Sequence, residues 1–373
     1  MRRLSIILTL SLAAAAVTAQ SASAATGGWT AASVPPLAGN VQLQGAAALN
    51  NSDAWAVGSE SVGAGQPPAP AVAYHWNGTT WSLTPTPNLG EAVGLEAVSA
   101  SSSTDAWAVG GINLGPRDHE TLIEHWNGSK WAVAQENAET GQGVQLNGVV
   151  DLSSTDAWAV GNFTGLVEHW NGTTWSLVTL PDPSFTPAAG KAISAVSAND
   201  VWIIGFTVNS ATGVATSETL HFNGTSWTAV PLQQPNATNF GLNSLSAISA
   251  TDIWAVGQVR PGSTAANGST LIEHYNGTAW SIVASPTPGF DPTLIGIAGR
   301  SATDAYAVGN ELPSANGGTE QALILRWNGT SWSQDSDGTI GGSPVAAATF
   351  PGANTEWAVG ISSTNQGLIL SHP

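Results

Sequence analysis

Asp53-Ala54-Trp55-Ala56-Val57-Gly58 decides the reading of this chain. It returns as Asp105 to Gly110 and Asp156 to Gly161 and, with substitutions, from Asp200, Asp252, Asp304 and Thr355. The last copy departs most, since Thr355 holds the aspartate position and the acid, Glu356, follows one place later. In the second copy Asp105, Trp107 and Val109 fall on one face and Ala106, Ala108 and Gly110 on the other, the period of two that strands require.

A second element, His75-Trp76-Asn77-Gly78-Thr79-Thr80-Trp81, returns at His125 to Trp131, His169 to Trp175, His221 to Trp227, His274 to Trp280 and Arg326 to Trp332. The seventh copy is split: His372 supplies its first residue, and Gly27-Gly28-Trp29 supplies its second half. Its closing tryptophans, Trp29, Trp81, Trp131, Trp175, Trp227, Trp280 and Trp332, stand 44 to 53 residues apart. A period of that size signals a propeller or solenoid. One period holds four strand-length segments, for example Gly94 to Ala100, Asp105 to Gly110, Leu122 to Trp126 and Lys130 to Ala134. The last two meet at an Asn-Gly pair, which predicts a type I′ hairpin turn.

Large residues facing small ones suit stacked, twisted sheets, and closing the stack leaves few exposed edges. The expected fold is all-β: a seven-bladed β-propeller of four-stranded antiparallel blades. The N-terminal strand, about 28–32, completes the last blade, whose other strands lie in about 345–372. Residues 25–373 then form a single propeller domain. The repeats resemble the β-propellers of secreted actinobacterial proteins with Asp-x-Trp-Ala-Val-Gly and His-Trp-Asn-Gly-Thr-x-Trp repeats, and are distantly similar to Kelch and Asp-box propellers. That resemblance implies architecture and no activity. Asn77 to Trp81 lacks the Asp-box aspartate, and most blades lack the paired glycines of Kelch repeats.

Arg2 and Arg3, the apolar run Leu4 to Val17 and the triplet Ala22-Ser23-Ala24 form a signal-peptide pattern over residues 1–24. A secreted, extracellular monomer without a transmembrane segment is expected. There is no cysteine, so stability must come from burial and strand pairing rather than disulfides. The formal charge of −17 excludes nucleic acid as a natural partner.

Repeat positions are explained first by the fold. All 17 tryptophans and every histidine except His119 occupy them. A position repeated once per blade is spread around the ring, so six histidines cannot share one metal, and no metal site is expected. The loops after second and fourth strands define a top face, and the turns after first and third strands a bottom face. Acids outside the repeats gather in the top loops, where variable segments on a rigid frame carry binding. Glu91, Arg117, Asp118, His119, Glu120, Glu136 and Asp291 are ligand candidates there. Nine residues before each hexapeptide stand Gln44, Glu96, Asn147, Lys191, Asn243, Ile295 and Ala346, expected around the central channel. Glu96, Asn147, Lys191 and Asn243 of this set are also ligand candidates.

Three functions fit this inventory. One is a non-catalytic propeller binding carbohydrate or another extracellular ligand through acidic top loops. A second is a glycoside hydrolase-like enzyme using paired top-face carboxylates. The third is an extracellular scaffold presenting loops to a protein. A sialidase-like site needs three converging arginines, whereas Arg117 and Arg260 are expected on top, with Arg300 in a bottom turn and Arg326 at the repeated histidine position. A cysteine-linked tyrosine copper site is excluded by the absence of cysteine. No cofactor is expected. Calcium would find oxygens at Asp118 and Glu120, but without the spacing of a compact calcium loop.

Overall fold

The computed structural model describes residues 28–372 apart from 64, 116–117, 142–143, 163–164, 189–191, 209–214, 236, 238–239, 261–266, 315–316, 336–339, 351 and 354. All its named elements are strands, in seven antiparallel sheets that are the expected seven blades. Blade one is Asn40–Asn50, Asp53–Ser61, Val72–Trp76 and Trp81–Leu83. The following five blades occupy 92–141, 146–177, 186–231, 240–282 and 290–334. In blade four the first strand is broken into Thr186–Pro187 and Ile193–Ser197, both paired with Asp200–Val208.

Blade seven is built from both ends of the chain. Gly342–Ala348, Glu356–Ser362 and Gly367–His372 pair in order, and Thr30–Ala31 adds the outermost strand, Thr30 opposite Ser371 and Ala31 opposite Leu370. Trp29 beside it is fully buried, and its Nε1 donates to Asp335 Oδ2 at 2.8 Å. First strands of successive blades touch all the way around, including blade seven against blade one.

The repeated residues lock each blade internally. Asp53 and Trp55 share a face, and Trp55 lies directly opposite His75 on the third strand. His75 Nε2 is 2.8 Å from Asp53 Oδ1 while its ring stacks on Trp55 at 4.2 Å. The same Asp, His and Trp recur in blades two to five. The hexapeptide ends in glycine because a Cβ on Gly58 would overlap the carbonyl oxygen of Gln42 on the first strand.

The same tryptophans also join neighbours. Trp55 meets Trp126 and Trp131 of blade two at 5.0 and 5.1 Å. The contact repeats from Trp107, Trp158, Trp202 and Trp254 onto the third- and fourth-strand aromatics of the next blade. Tyr306 meets Trp29 at 5.5 Å, and Trp357 returns to Trp76 and Trp81 of blade one at 5.1 and 5.0 Å. Edge-on aromatic pairs of this kind add to what burial alone contributes.

The hairpin turns differ from the type I′ expectation. Gly78 takes φ 93°, but Asn77 does not enter the left-handed region, where Asp291 and Asn365 are the only non-glycine residues described. Instead Asn77 Oδ1 accepts from the amides of Thr79 and Thr80, both at 3.0 Å. The side chain takes the role that a second positive φ would have played.

Candidate functional site

The first strands of blades one, two, three, five, six and seven carry a β-bulge. The extra residue falls at Gln44, Glu96, Asn147, Asn243 and Ile295, five of the expected channel positions. In blade seven it is Val345, and Ala346 is instead packed in the core. The connection between first and second strands is one residue longer there, as Ala348 faces Trp357 where Ala47 faces Trp55. Lys191 lies outside the described residues. Burial pushes the Glu96 carboxyl above its usual range, and Asn243 Nδ2 donates to Leu294 O at 2.7 Å. Asn147 is almost wholly buried.

The expected acidic loop of blade two is corrected to a hairpin extension. Its strands run Asp105–Gly115, Asp118–Trp126 and Trp131–Gly141. Asp118 faces Gly115, His119 faces Asn113 and Glu120 faces Ile112, while Glu136 pairs with Leu122 in the backbone. The alternation continues past the hexapeptide because Ile112 is buried in the core, which carries the pairing outward. Arg117 lies outside the described residues. Glu91 is exposed, just before the first strand of blade two. No group of three or more potential metal-ligating side chains exists among the described residues.

Asp291 stands in a formed pocket. A cavity of about 230 Å³ opens on the top face between blades five and six, lined by Gln258, Arg260, Asp291, Thr293, Ile295, Asn310, Glu311, Leu312 and Glu320. Phe290–Ser301 and Asp304–Leu312 of blade six supply most of the wall, and the end of Asp252–Val259 in blade five brings Gln258 and then Arg260. Asp291 holds φ 51°, a conformation that L-residues adopt at a cost of the order of 1–3 kcal/mol and that clusters at ligand clamps. Its carboxylate is 3.2 Å from Arg260 Nη2, across the blade boundary.

The rest of the lining is polar and ordered. Thr293 Oγ1 donates to Gln258 Oε1 at 2.6 Å. Asn310 Nδ2 donates to Ser343 Oγ at 2.9 Å and reaches Glu320 Oε2 at 3.3 Å. Glu311 is 5% exposed, its Oε2 makes no hydrogen bond, and burial raises its carboxyl above the usual range. Three carboxyl groups and one guanidinium line the pocket, so it offers more acceptors than donors. It therefore suits a ligand rich in hydroxyl or ammonium donors, with Ile295 and Leu312 giving a small apolar wall.

Of this pocket the sequence had singled out Asp291 as a ligand candidate and Ile295 as a channel position, and had placed Arg260 and the acids Glu311 and Glu320 on the top face. Gln258 and Asn310 follow the hexapeptide glycines of blades five and six, and Glu311 sits on a second strand rather than in a loop. The signal that could have found Gln258 and Asn310 is this run of polar residues extending two adjacent second strands.

No family model matches the chain, and no curated protein matches it in sequence. Solved structures do resemble it. The structure titled YCF48 bound to D1 peptide superposes with a TM-score of 0.57 at 13% identity, over 92% of this chain and 96% of that one. The likeness is one of fold. U3-55K gives a TM-score of 0.57 at 9% identity, covering 94% of this chain and 100% of that one. The phage phi92 endosialidase gives 0.51 at 13% identity, covering 92% and 68%. At these identities the neighbours agree with the β-propeller ring and carry no site across.

Proposed function

We propose that this chain is an exported binding propeller that holds one polyhydroxylated unit, such as a terminal sugar of an extracellular glycan, in the pocket between blades five and six. The observation that carries this reading is Asp291, held at positive φ and paired with Arg260 in a pocket edged by amides, a hydroxyl and two further carboxyl groups. The cavity is smaller than the roughly 300–1,000 Å³ of drug-sized sites, so it takes one small unit rather than a long stretch of polymer. Export is supported by the pattern of Arg2, Arg3, the apolar run and Ala22-Ser23-Ala24. Among the described residues no helix is long and apolar enough to cross a membrane.

A glycan array probed with the wild-type protein and with D291G tests this. Glycine tolerates the positive φ, so D291G removes the carboxylate without opposing the fold. Binding is expected to fall about tenfold or more, the loss of a charge-assisted hydrogen bond. Absence of any glycan bound by the wild type, or equal binding by D291G, sinks the reading.

One observation favours a hydrolase as the second reading. Glu311 has its carboxyl raised by burial, and the pocket also holds Asp291 and Glu320, a pattern that can divide acid and base roles. Turnover of aryl glycosides that disappears in E311Q would select it over binding alone.

A further inference from the structure

Repeat departures cluster on the bottom face where blade six meets blade seven. Arg326 replaces the histidine of the five preceding blades, Tyr306 replaces the tryptophan on which that histidine stacks, and Glu356 takes the acidic place in blade seven. An open depression of about 890 Å³, larger than the top pocket, is lined there by Arg300, Ser301, Thr303, Asp304, Arg326 and the adjoining Gly352-Ala353.

The two arginines are held differently. Arg300 Nη1 donates to Ala353 O at 2.8 Å and lies 2.6 Å from Glu356 Oε1, while its Nη2 meets Asp304 Oδ2. Both its terminal nitrogens are engaged. Arg326 uses only Nε, which donates to Asp304 Oδ1 at 3.2 Å, and its guanidinium lies 5.3 Å from the centre of the Tyr306 ring. Its two terminal nitrogens hydrogen-bond to no described residue, and the side chain is 39% exposed. A structural substitute for histidine needs the Nε bond alone, so the outward pair is surplus to the fold.

We infer that this depression is a second binding site, independent of the top pocket, that receives a carboxylate-bearing ligand end-on at the terminal nitrogens of Arg326. A planar guanidinium matches a carboxylate bidentately, and the Tyr306 face holds the plane in place. Arg300 and Arg326 together offset Asp304 and Glu356, and with Asp335 also acting on Arg326 the immediate site carries far less negative charge than the chain's net −17. Ser301 and Thr303 border the same space with hydroxyl groups. The carboxylate could belong to a small organic acid or to the free C-terminus of a peptide.

The full-length wild-type protein, R326H and D291G would each be offered succinate, a library of acetylated tetrapeptides with free C-termini, and the same library amidated. Bound species are read by affinity-selection mass spectrometry. R326H restores the side chain that pairs with aspartate in the other blades, so its fold is expected to survive, as checked by melting temperature. Wild type and D291G are expected to retain carboxylate ligands, and R326H to bind them about tenfold or more weakly. Succinate retention marks a small-acid site, whereas retention of the free-acid library alone marks a peptide terminus. Equal retention of the amidated library, equal binding by R326H, or no carboxylate retained by wild type would overturn the inference.

Discussion

At Glu124 a carboxyl lies fully buried on the third strand of blade two, and neither of its oxygens makes a hydrogen bond. The equivalent Glu168 accepts from Gln135 Nε2 on the fourth strand of the preceding blade, and Glu273 accepts from the Gln233 amide at 3.0 Å. Four residues after its fourth-strand tryptophan, where blade two has Gln135, blade one has Pro85, which has no amide to donate. Burial pushes Glu124 up to about 8, so the native state keeps it protonated while the unfolded chain ionises near 4.5. Between those values the unfolded state binds fewer protons, and this group's contribution to stability falls as pH rises. The slope approaches about 1.4 kcal/mol per pH unit. E124Q should remove it: melting curves from pH 5 to 8 are expected to show the variant gaining steadily on the wild type, and a constant difference would contradict the assignment.

The N-terminal strand shows what was legible at the level of elements. The split repeat at His372 and Trp29 announced its pairing, because a hairpin with one half missing must recover it from elsewhere in the chain. Asp118, His119, Glu120 and Glu136 were misplaced because the hexapeptide marks only the inner part of a second strand, and nothing periodic marks where pairing stops. The bulges, which the sequence did not announce, fall at five positions counted back from the hexapeptide because a fixed turn keeps that count constant, and the longer connection in blade seven broke it. Trp29 is the anchor of the closing strand, buried against Tyr306 and bonded to Asp335. W29A is expected to cost about 3–5 kcal/mol. Urea unfolding would read this as a lower midpoint, and a loss under about 1 kcal/mol would mean that the strand does not bear on ring stability.

Across the whole molecule, the aromatic contacts pass through all seven blades and return to the first, which makes the ring a rigid frame for what its faces carry. The architecture was readable because one period repeats, whereas the top pocket depends on where repeats differ, and a single sequence does not say which differences meet in space. Asp291 and Arg260 meet because blades five and six adjoin. The most direct test is amide hydrogen exchange on the full-length protein, with and without its best array glycan. The account predicts slowed exchange at 258–260, 290–295 and 310–320, with the bottom turns unchanged. Protection centred on the bottom face, or the same protection pattern with D291G, would contradict it.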